Sequence, residues 1–297
     1  QIACALIAGK LKELGYNARS WLGWQLPIIT KGNYSSSRII KIQKTKIINY
    51  LKEGGIPIIT GFQGINSEFR ITTLERGGSD TSAILCAKFF NAKKCVIYTD
   101  VDGVMTTDPK IYKNAIKINE ISYEEMLEMS SLGSKVMQSN SVQDARLNRI
   151  KVDVRSSFKN RNGTLITKRK NISGNKIIRG ISSTKNDAKI TLVGVKDKPG
   201  IAASIFEPLS NNNINVDMVV QNISANGVET DITFTIKLEN LIKTKKLLQN
   251  NSKIKYKKIL IDANVSKISI IGVGMITTPG VTYRMFRSLS KENINIL

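Results

Sequence analysis

Two short stretches hold the residues best suited to chemistry. Thr72-Thr73-Leu74-Glu75-Arg76-Gly77-Gly78-Ser79-Asp80-Thr81 turns on a Gly-Gly pair into a helical pattern. A helix start leaves backbone N–H groups free to face an anion. Arg76 adds a planar fork that matches a carboxylate or a phosphate. The same stretch also reads as an ordinary capped helix start, with Ser79 or Asp80 as N-cap. Tyr98-Thr99-Asp100-Val101-Asp102-Gly103-Val104-Met105-Thr106-Thr107-Asp108-Pro109-Lys110 follows the apolar run Cys95-Val96-Ile97. It leaves a strand at its carboxyl end, the edge where open α/β sheets bind ligands. Its acidic residues suit Mg²⁺ or a ribose hydroxyl, and Lys110 suits a phosphate. An EF-hand is excluded, because the glycine comes one position early and no bidentate Glu closes the loop. The plain alternative is an Asx-rich turn ended by an X-Pro stop.

Two weaker signals accompany these. Lys135, after Gly133-Ser134, falls in the first turn of a helix expected from about Ser134 to Asn148, where the helix dipole disfavours a cation. An anionic ligand would account for it, and so would a solvated surface position. Gly61-Phe62-Gln63-Gly64 follows a strand and reads as a turn or as a close approach to a ligand.

Composition narrows the chemistry. There is no histidine, which removes His-based general bases, Ser-His triads and most zinc sites. Cys4, Cys86 and Cys95 have no CxxC spacing, which argues against a disulfide framework and suits a reducing, cytoplasmic setting. No apolar run reaches the roughly 18 residues of a membrane span, and no secretory signal is present. The net charge of +22 invites a nucleic-acid reading. However, the basic excess in residues 151–200 (13 basic, 3 acidic) has no aromatic interleaving beyond Phe158. The chain is rich in Ile, Lys and Asn together, so compositional drift explains the charge without a nucleic-acid partner.

The elements that must hold these residues alternate. Helices are expected over Ile2–Leu14, Thr45–Lys52 and Ser79–Phe90, and after the capping box Ser122-x-x-Glu125. Apolar strands are expected at Ile56–Thr60, Cys95–Tyr98 and Lys151–Val154. Apolar strands between helices predict a parallel sheet with helices on both faces, a three-layer α/β/α arrangement. The second half repeats itself: Ile190–Val195 matches Ile268–Val273, Pro199-Gly200 matches Pro279-Gly280, and Asn213-Ile214-Asn215 matches Asn293-Ile294-Asn295. Each copy reads strand, Pro-Gly turn, helix, strand, the opening of a ferredoxin-like βαββαβ module. The length alone suggests two domains at roughly 150 residues each. The pattern divides the chain into 1–167, a basic and polar linker at 168–187, a first module at 188–262 and a truncated second one at 266–297. Both termini look cut, so the chain is expected to be a fragment of a longer protein.

Taken in order, these pieces resemble the monofunctional aspartokinases (aspartate 4-kinases) of the amino-acid-kinase superfold, with tandem ACT regulatory domains. The carrying residues are GFQG at 61–64, TTLERGGSDT at 72–81, YTDVDGVMTTDPK at 98–110, YEEMLEMSSLGSKV at 123–136 and VRSSF at 154–158. DKPGIAASIF at 197–206, NINVDMVVQNIS at 213–224 and TDITFT at 230–235 extend the resemblance over the whole chain. It implies ATP-dependent phosphorylation of the side-chain carboxylate of L-aspartate to 4-phospho-L-aspartate, the first step toward lysine, threonine and methionine. Arg76 and Asp80 are then the catalytic residues, and Arg76, Gly77, Gly78 and Ser79 line the aspartate pocket. Ser79, Thr99, Asp100, Met105, Thr106, Thr107, Asp108, Pro109, Lys110 and Lys135 would hold ATP, with Mg²⁺ bound through its phosphates and no protein-only metal site.

The resemblance further implies feedback by lysine and/or threonine. The effector site would comprise Asp197, Gly200, Ile201, Ala202, Asn215, Val216, Asp217 and Gln221, with Thr282, Asn295 and Ile296 from the second module. A homo-oligomer, or pairing with a regulatory subunit, would form through the ACT modules. The sequence departs from the family pattern at Glu75, which replaces a Gly and could pair with Arg76, at Lys110, which replaces an Arg, and at Met105, which replaces a frequent Tyr. The family's Lys-Phe-Gly-Gly-Thr-Ser motif would lie upstream of Gln1, so the fragment alone is expected to be inactive. The alternative reading is an amino-acid-binding regulatory module without kinase activity.

Overall fold

The computed structural model describes residues 1–169, 177–223, 228–276 and 278–296. Ser224 and Leu297, and part of the expected linker, lie outside them. The described chain divides into two compact units, Gln1–Ser182 with Ile270–Leu297, and Ser183–Ser269.

In chain order, the first unit opens with α1 (Ile2–Glu13), β1 (Ala18–Trp21), β2 (Ile28–Lys31), β3 (Arg38–Ile42), α2 (Thr45–Lys52) and β4 (Ile56–Ile59). β5 (Gln63–Ile65), β6 (Ile71–Thr73), α3 (Gly78–Phe89) and β7 (Cys95–Thr99) follow. Then come β8 (Glu120–Ser122), α4 (Tyr123–Ser131), α5 (Ser139–Asn148), β9 (Val152–Ser156) and β10 (Thr164–Thr167). β1 pairs in parallel with β4, β7 with β9, and β10 with β8. Two departures from an all-parallel sheet appear. β9 and β10 run antiparallel, and β3, β2, β5 and β6 form a separate mixed sheet. The strands of that mixed sheet are only three to five residues long. Their hydrophobic alternation is too brief to register as a period.

β9 is buried from Val152 to Val154, as a central strand covered on both faces must be. Val152 and Val154 join Ile84 of α3, Ile97 of β7, Met126 of α4 and Val142 of α5 in one core. The capping box forms as read: Ser122 Oγ accepts from Glu125 N–H, and Glu125 Oε2 accepts from Ser122 N–H, both at 3.1 Å. The helix expected from Ser134 begins instead at Ser139. α4 closes when Ser134 N–H reaches Met129 O, and Gly133 then turns through φ 117°. The chain passes through Met137, fully buried, before helix can resume. Lys135 therefore lies in the α4–α5 connection and not in a helical first turn.

The second unit runs β11 (Gly180–Lys196, starting in the first), α6 (Ile201–Asn211), β12 (Val216–Ile223), β13 (Glu229–Lys237), α7 (Leu241–Gln249) and β14 (Lys258–Ile271). Its sheet order, β12-β13-β11-β14, is that of the ferredoxin-like βαββαβ module. Ala188, Ile190 and Leu192 alternate inward on β11 and Ile232, Phe234 and Ile236 on β13, against Ile205 and Leu209 of α6. The repeat is also visible in the backbone. Gly200 (φ 85°) precedes α6, and Gly280 (φ 83°) precedes α8 (Val281–Lys291). After these two helices, Asn213 (φ 56°) and Asn293 (φ 55°) stand at matching positions. Residues 180–187, read as linker from their composition, are the first half of β11.

Asp187 is nearly buried on β11 and accepts from Lys237 Nζ at 2.8 Å and from Thr184 Oγ1. Burial pushes its carboxyl upward, but those two partners outweigh it and hold the group below the ordinary 3.8. Its contribution to stability is thus present above that value and fades as pH falls through the depressed one. Asp187→Asn is expected to cost about 2 kcal/mol at pH 7 and to flatten the acid limb of stability below about pH 4, as urea melts across pH will read.

Candidate active site

Helix α3 starts where the sequence placed it, but neither Ser79 nor Asp80 caps it. Gly77 occupies the N-cap with φ 80°. A side chain there would meet Gln138, since a Cβ on Gly77 would stand 2.2 Å from Gln138 Cγ. Gln138 is itself the N-cap of α5. The two helix N-termini thus abut, and hydroxyls join them: Thr81 Oγ1 and Ser141 Oγ are 3.0 Å apart, and Ser141 Oγ donates to Gly77 O at 3.2 Å. Two abutting N-termini bring positive dipole ends together, although Gly78 N–H is already taken by Glu75 O and Asp80 N–H by Gly77 O. Arg76 is exposed at this junction, and Lys135 precedes α5 by a short loop.

The Gly61–Gly64 loop packs on the same turn. Phe62 adopts φ 68°, its N–H donates to Ser82 Oγ at 2.9 Å, and Ser82 Oγ donates to Gly78 O at 2.7 Å. Leu74 N–H closes onto Phe62 O at 3.0 Å. Ser82, Gln138 and Ser141 escaped the sequence reading, because single polar residues inside helical patterns carry no spacing signal.

Arg76 also lines a groove of about 500 Å³ between α3, α5 and β3, within the usual range for small-molecule pockets. Arg38, Glu75, Lys88, Asn140 and Asp144 line it too. Burial raises the Asp144 carboxyl, and the nearby Arg38 and Lys88 charges counter part of that rise. Glu75 does not pair with Arg76 among the described residues. Its Oε2 instead accepts from Asn140 Nδ2 at 3.0 Å. Asp80 is half-buried, and burial raises its carboxyl. The thiol of Cys95 is pushed up to about 11, first by burial and then by the Asp80 charge. Cys86 is pushed up to about 12, by burial and then by Cys95. Neither thiol is therefore a nucleophile near neutral pH.

The 98–110 stretch leaves β7 as a braced excursion. Thr99 Oγ1 donates to Asp100 Oδ1 at 3.1 Å, and Asp102 pairs with Lys159 at 2.8 Å. Thr164 Oγ1 accepts from Val104 N–H at 2.8 Å. Ile116 and Thr106 exchange two hydrogen bonds, and Met105 bridges to Lys117. Thr107 is half-buried, and Asp108, Pro109 and Lys110 are exposed at the tip. There Asp108 Oδ1 accepts from Lys110 N–H at 2.9 Å, the Asx turn anticipated from sequence. Asp102 and Asp108 therefore already hold protein partners, and Asp100 lies exposed at the strand end.

In the second unit, Asp197, Lys198, Pro199, Gly200, Ile201, Ala202 and Gln221 line a hollow of about 450 Å³ at the start of α6. Five of the expected effector residues meet there. Asn215, Val216 and Asp217 sit toward the other end of β12 from Gln221, and Asp217 pairs instead with Lys267. Four residue steps along the strand separate Asp217 from Gln221, about 13 Å. Thr282, Asn295 and Ile296 belong to the other compact unit, each exposed. Among the described residues, no helix is long and apolar enough to cross a membrane.

Gly77→Ala should lower stability by about 1–3 kcal/mol, from the left-handed backbone and the overlap with Gln138. Urea unfolding of the substituted and unsubstituted proteins will measure it.

Comparison with known proteins follows the same division. Residues 1–156 match the amino acid kinase family, and residues 190–251 and 268–297 match the ACT domain. Over its whole length, the chain is 44% identical to the aspartate kinase of Pseudomonas fluorescens and covers 72% of that protein. The E. coli aspartokinase III structure with aspartate and ADP superposes with TM-score 0.79 at 26% identity, over 96% of this chain and 64% of that one. The lysine- and aspartate-bound form of that enzyme gives 0.73 at 27% identity, over 91% of this chain and 60% of that one. The chain thus spans less than two thirds of that enzyme in either structure. By sequence and by fold, it belongs to the aspartate kinase family, with an amino-acid-kinase fold followed by ACT domains.

Proposed function

We infer that the protein carrying this chain transfers the γ-phosphoryl group of ATP to the side-chain carboxylate of L-aspartate, giving 4-phospho-L-aspartate. The observation that carries this reading is the match to aspartate kinases along the entire chain, kinase portion and ACT portion in one order. The E. coli neighbour with bound aspartate and ADP supports the same pair of ligands. The nucleophile is a carboxylate, ionised at neutral pH, so it needs no general base, and the lack of histidine carries no penalty. What remains is positioning and charge neutralisation of a transferring phosphoryl group.

In this reading, Arg76 grips a carboxylate of aspartate at the junction of α3 and α5, with Gly77, Gly78 and Ser79 lining the pocket. Asp80 orients the cationic side of the phosphate clamp. Thr99, Asp100 and the 105–110 stretch hold the nucleotide, and Lys110 and Lys135 face its phosphates. Mg²⁺ would be carried chiefly by the phosphate oxygens, as suits an ion that keeps its waters and takes few protein ligands. Asp100 is the carboxylate that would join in holding it, and the ion would supply charge neutralisation of the phosphates. The Asn140–Glu75 contact favours this reading over a module without kinase activity, because it gives the Glu75 carboxylate a partner other than Arg76. Arg76→Ala in the whole protein is expected to raise KM for aspartate about 10–100-fold, the loss of a charge-assisted contact. Coupled ADP release with and without aspartate will show it, and aspartate-independent turnover would sink the reading.

The ACT portion, which begins with β11 at Gly180, is taken as the regulatory half. Lysine, bound in the E. coli neighbour, and threonine are the effectors to test. The hollow at the start of α6 offers N–H groups to a carboxylate, and Asp197 offers a partner to an amine. β12 is an edge strand with exposed Met218, Val219 and Val220, which supports assembly through the ACT sheet. A melting shift with lysine or threonine that disappears in Asp197→Ala is the expected outcome. An undiminished shift in that variant would move the effector site elsewhere.

A further inference from the structure

Residues 177–182 do not simply leave the first unit. They are bound into it at four points. Arg179 N–H donates to Ile271 O at 2.8 Å, and Ile181 N–H donates to Thr106 O at 2.7 Å. Ser182 Oγ donates to Leu132 O, just past the end of α4, also at 2.7 Å. The fourth point is an ion pair: Arg179 Nε stands 3.4 Å from Glu125 Oε1, both side chains nearly buried. Glu125 spends its other carboxylate oxygen on the Ser122 capping box, so one side chain ties the strap to the start of α4.

Gly180 sits between the loop and the helix. A Cβ there would meet Thr106 O at 2.9 Å and Met129 Cε at 3.1 Å. A Cβ on Gly272 would meet Ile177 O at 2.2 Å, so the strap is closed from its other side as well. Ile271 is fully buried in the same core as Val104 and Ile118, and Ile118 N–H donates to Val104 O at 2.8 Å, closing the base of the 105–116 excursion. The strap therefore holds that excursion at the Thr106 carbonyl, while the core beneath it holds the base.

We propose that Arg179 and Gly180 are positioning residues for the nucleotide: the strap, anchored on Glu125, sets the height of the Thr106 backbone and hence of the 105–110 loop. The proposal rests on the reading of that loop as the nucleotide-binding one. The strap touches neither Arg76 nor the α3–α5 junction in any described contact, so it should act on ATP and not on aspartate.

Steady-state kinetics of the whole protein test this. Gly180→Ala should raise KM for ATP about fivefold or more while KM for aspartate stays within about twofold, the pattern of lost nucleotide positioning. Arg179→Ala should do the same, and Arg179→Lys, which keeps a cation for Glu125, should recover most of the loss. Lys110→Ala is the control for the underlying reading. If Lys110→Ala raises KM for ATP and Gly180→Ala does not, the strap proposal is overturned and the loop reading stands. If neither changes KM for ATP, both fall together. A parallel rise of both KM values with a drop in melting temperature would make the strap merely structural and overturn the proposal. Should Arg179→Ala fail to fold, Gly180→Ala and Arg179→Lys decide alone.

Discussion

The approach of two helix starts organises the kinase portion. α3 and α5 begin against one another, and the contact is too close for any side chain at position 77. Glycine also permits the left-handed turn that launches α3 there. From that one constraint several features follow. The starts of two helices meet, and Thr81 and Ser141 join them side by side. The Gly61–Gly64 loop then closes over Gly78 through Ser82. Motifs distant in sequence thus become one surface, and among the described residues none of the ion pairs lies at the α3–α5 junction. The carboxylates of Glu75 and Asp144 share the groove with Arg76, Arg38 and Lys88, so both signs of charge line it.

Charge is handled differently in the two places where it matters. At the α3–α5 junction, the cation Arg76 is left exposed and the neighbouring carboxylate Glu75 is drawn aside by an amide. Beneath the 98–110 excursion, the acidic residues are largely consumed by structure. Asp102 goes to Lys159, Asp108 to a local turn, and Asp153 to Arg155 and Lys94. Burial raises Asp153, but those two hydrogen bonds outweigh it and hold it low, as expected of a brace and not of a proton donor. Of the loop's carboxylates, Asp100 and Asp108 stay exposed, each with a single local contact, and the cation at the tip is Lys110.

Much of this was legible in the residues. The Gly-Gly entry to α3, the Ser122–Glu125 capping box and the internal repeat all rest on local rules: positive φ at glycine, a spacing of three, and a fixed offset. What failed to show was whatever depends on tertiary approach. The strands of the β3-β2-β5-β6 sheet are too short to display a period. The late start of α5 follows from the need to bury Met137. The edge strand β12 carries Asn215–Asp217 away from the hollow they were expected to complete, since residues near in sequence on a strand still lie about 3.3 Å apart each. Gln138 is the clearest case: nothing marks it in the sequence, yet its side chain dictates the residue at position 77.

The strap at 177–182 shows why the kinase portion and the ACT portion have to be considered together even though each folds around its own core. Its last residues are already the beginning of β11, so the first ACT strand starts inside the kinase portion. A buried Arg–Glu pair is poor at adding net stability, because two charges must leave water to make it. It is effective at fixing geometry, because removing either partner strands the other. With Glu125 also bound to the α4 cap, a displacement of the strap has to be answered by α4, by the Thr106 carbonyl, or by both. A well-packed core transmits such a displacement and does not absorb it. A displacement of the first residues of β11 is therefore met at the Thr106 carbonyl and at α4, whereas the contacts at the α3–α5 junction involve other residues.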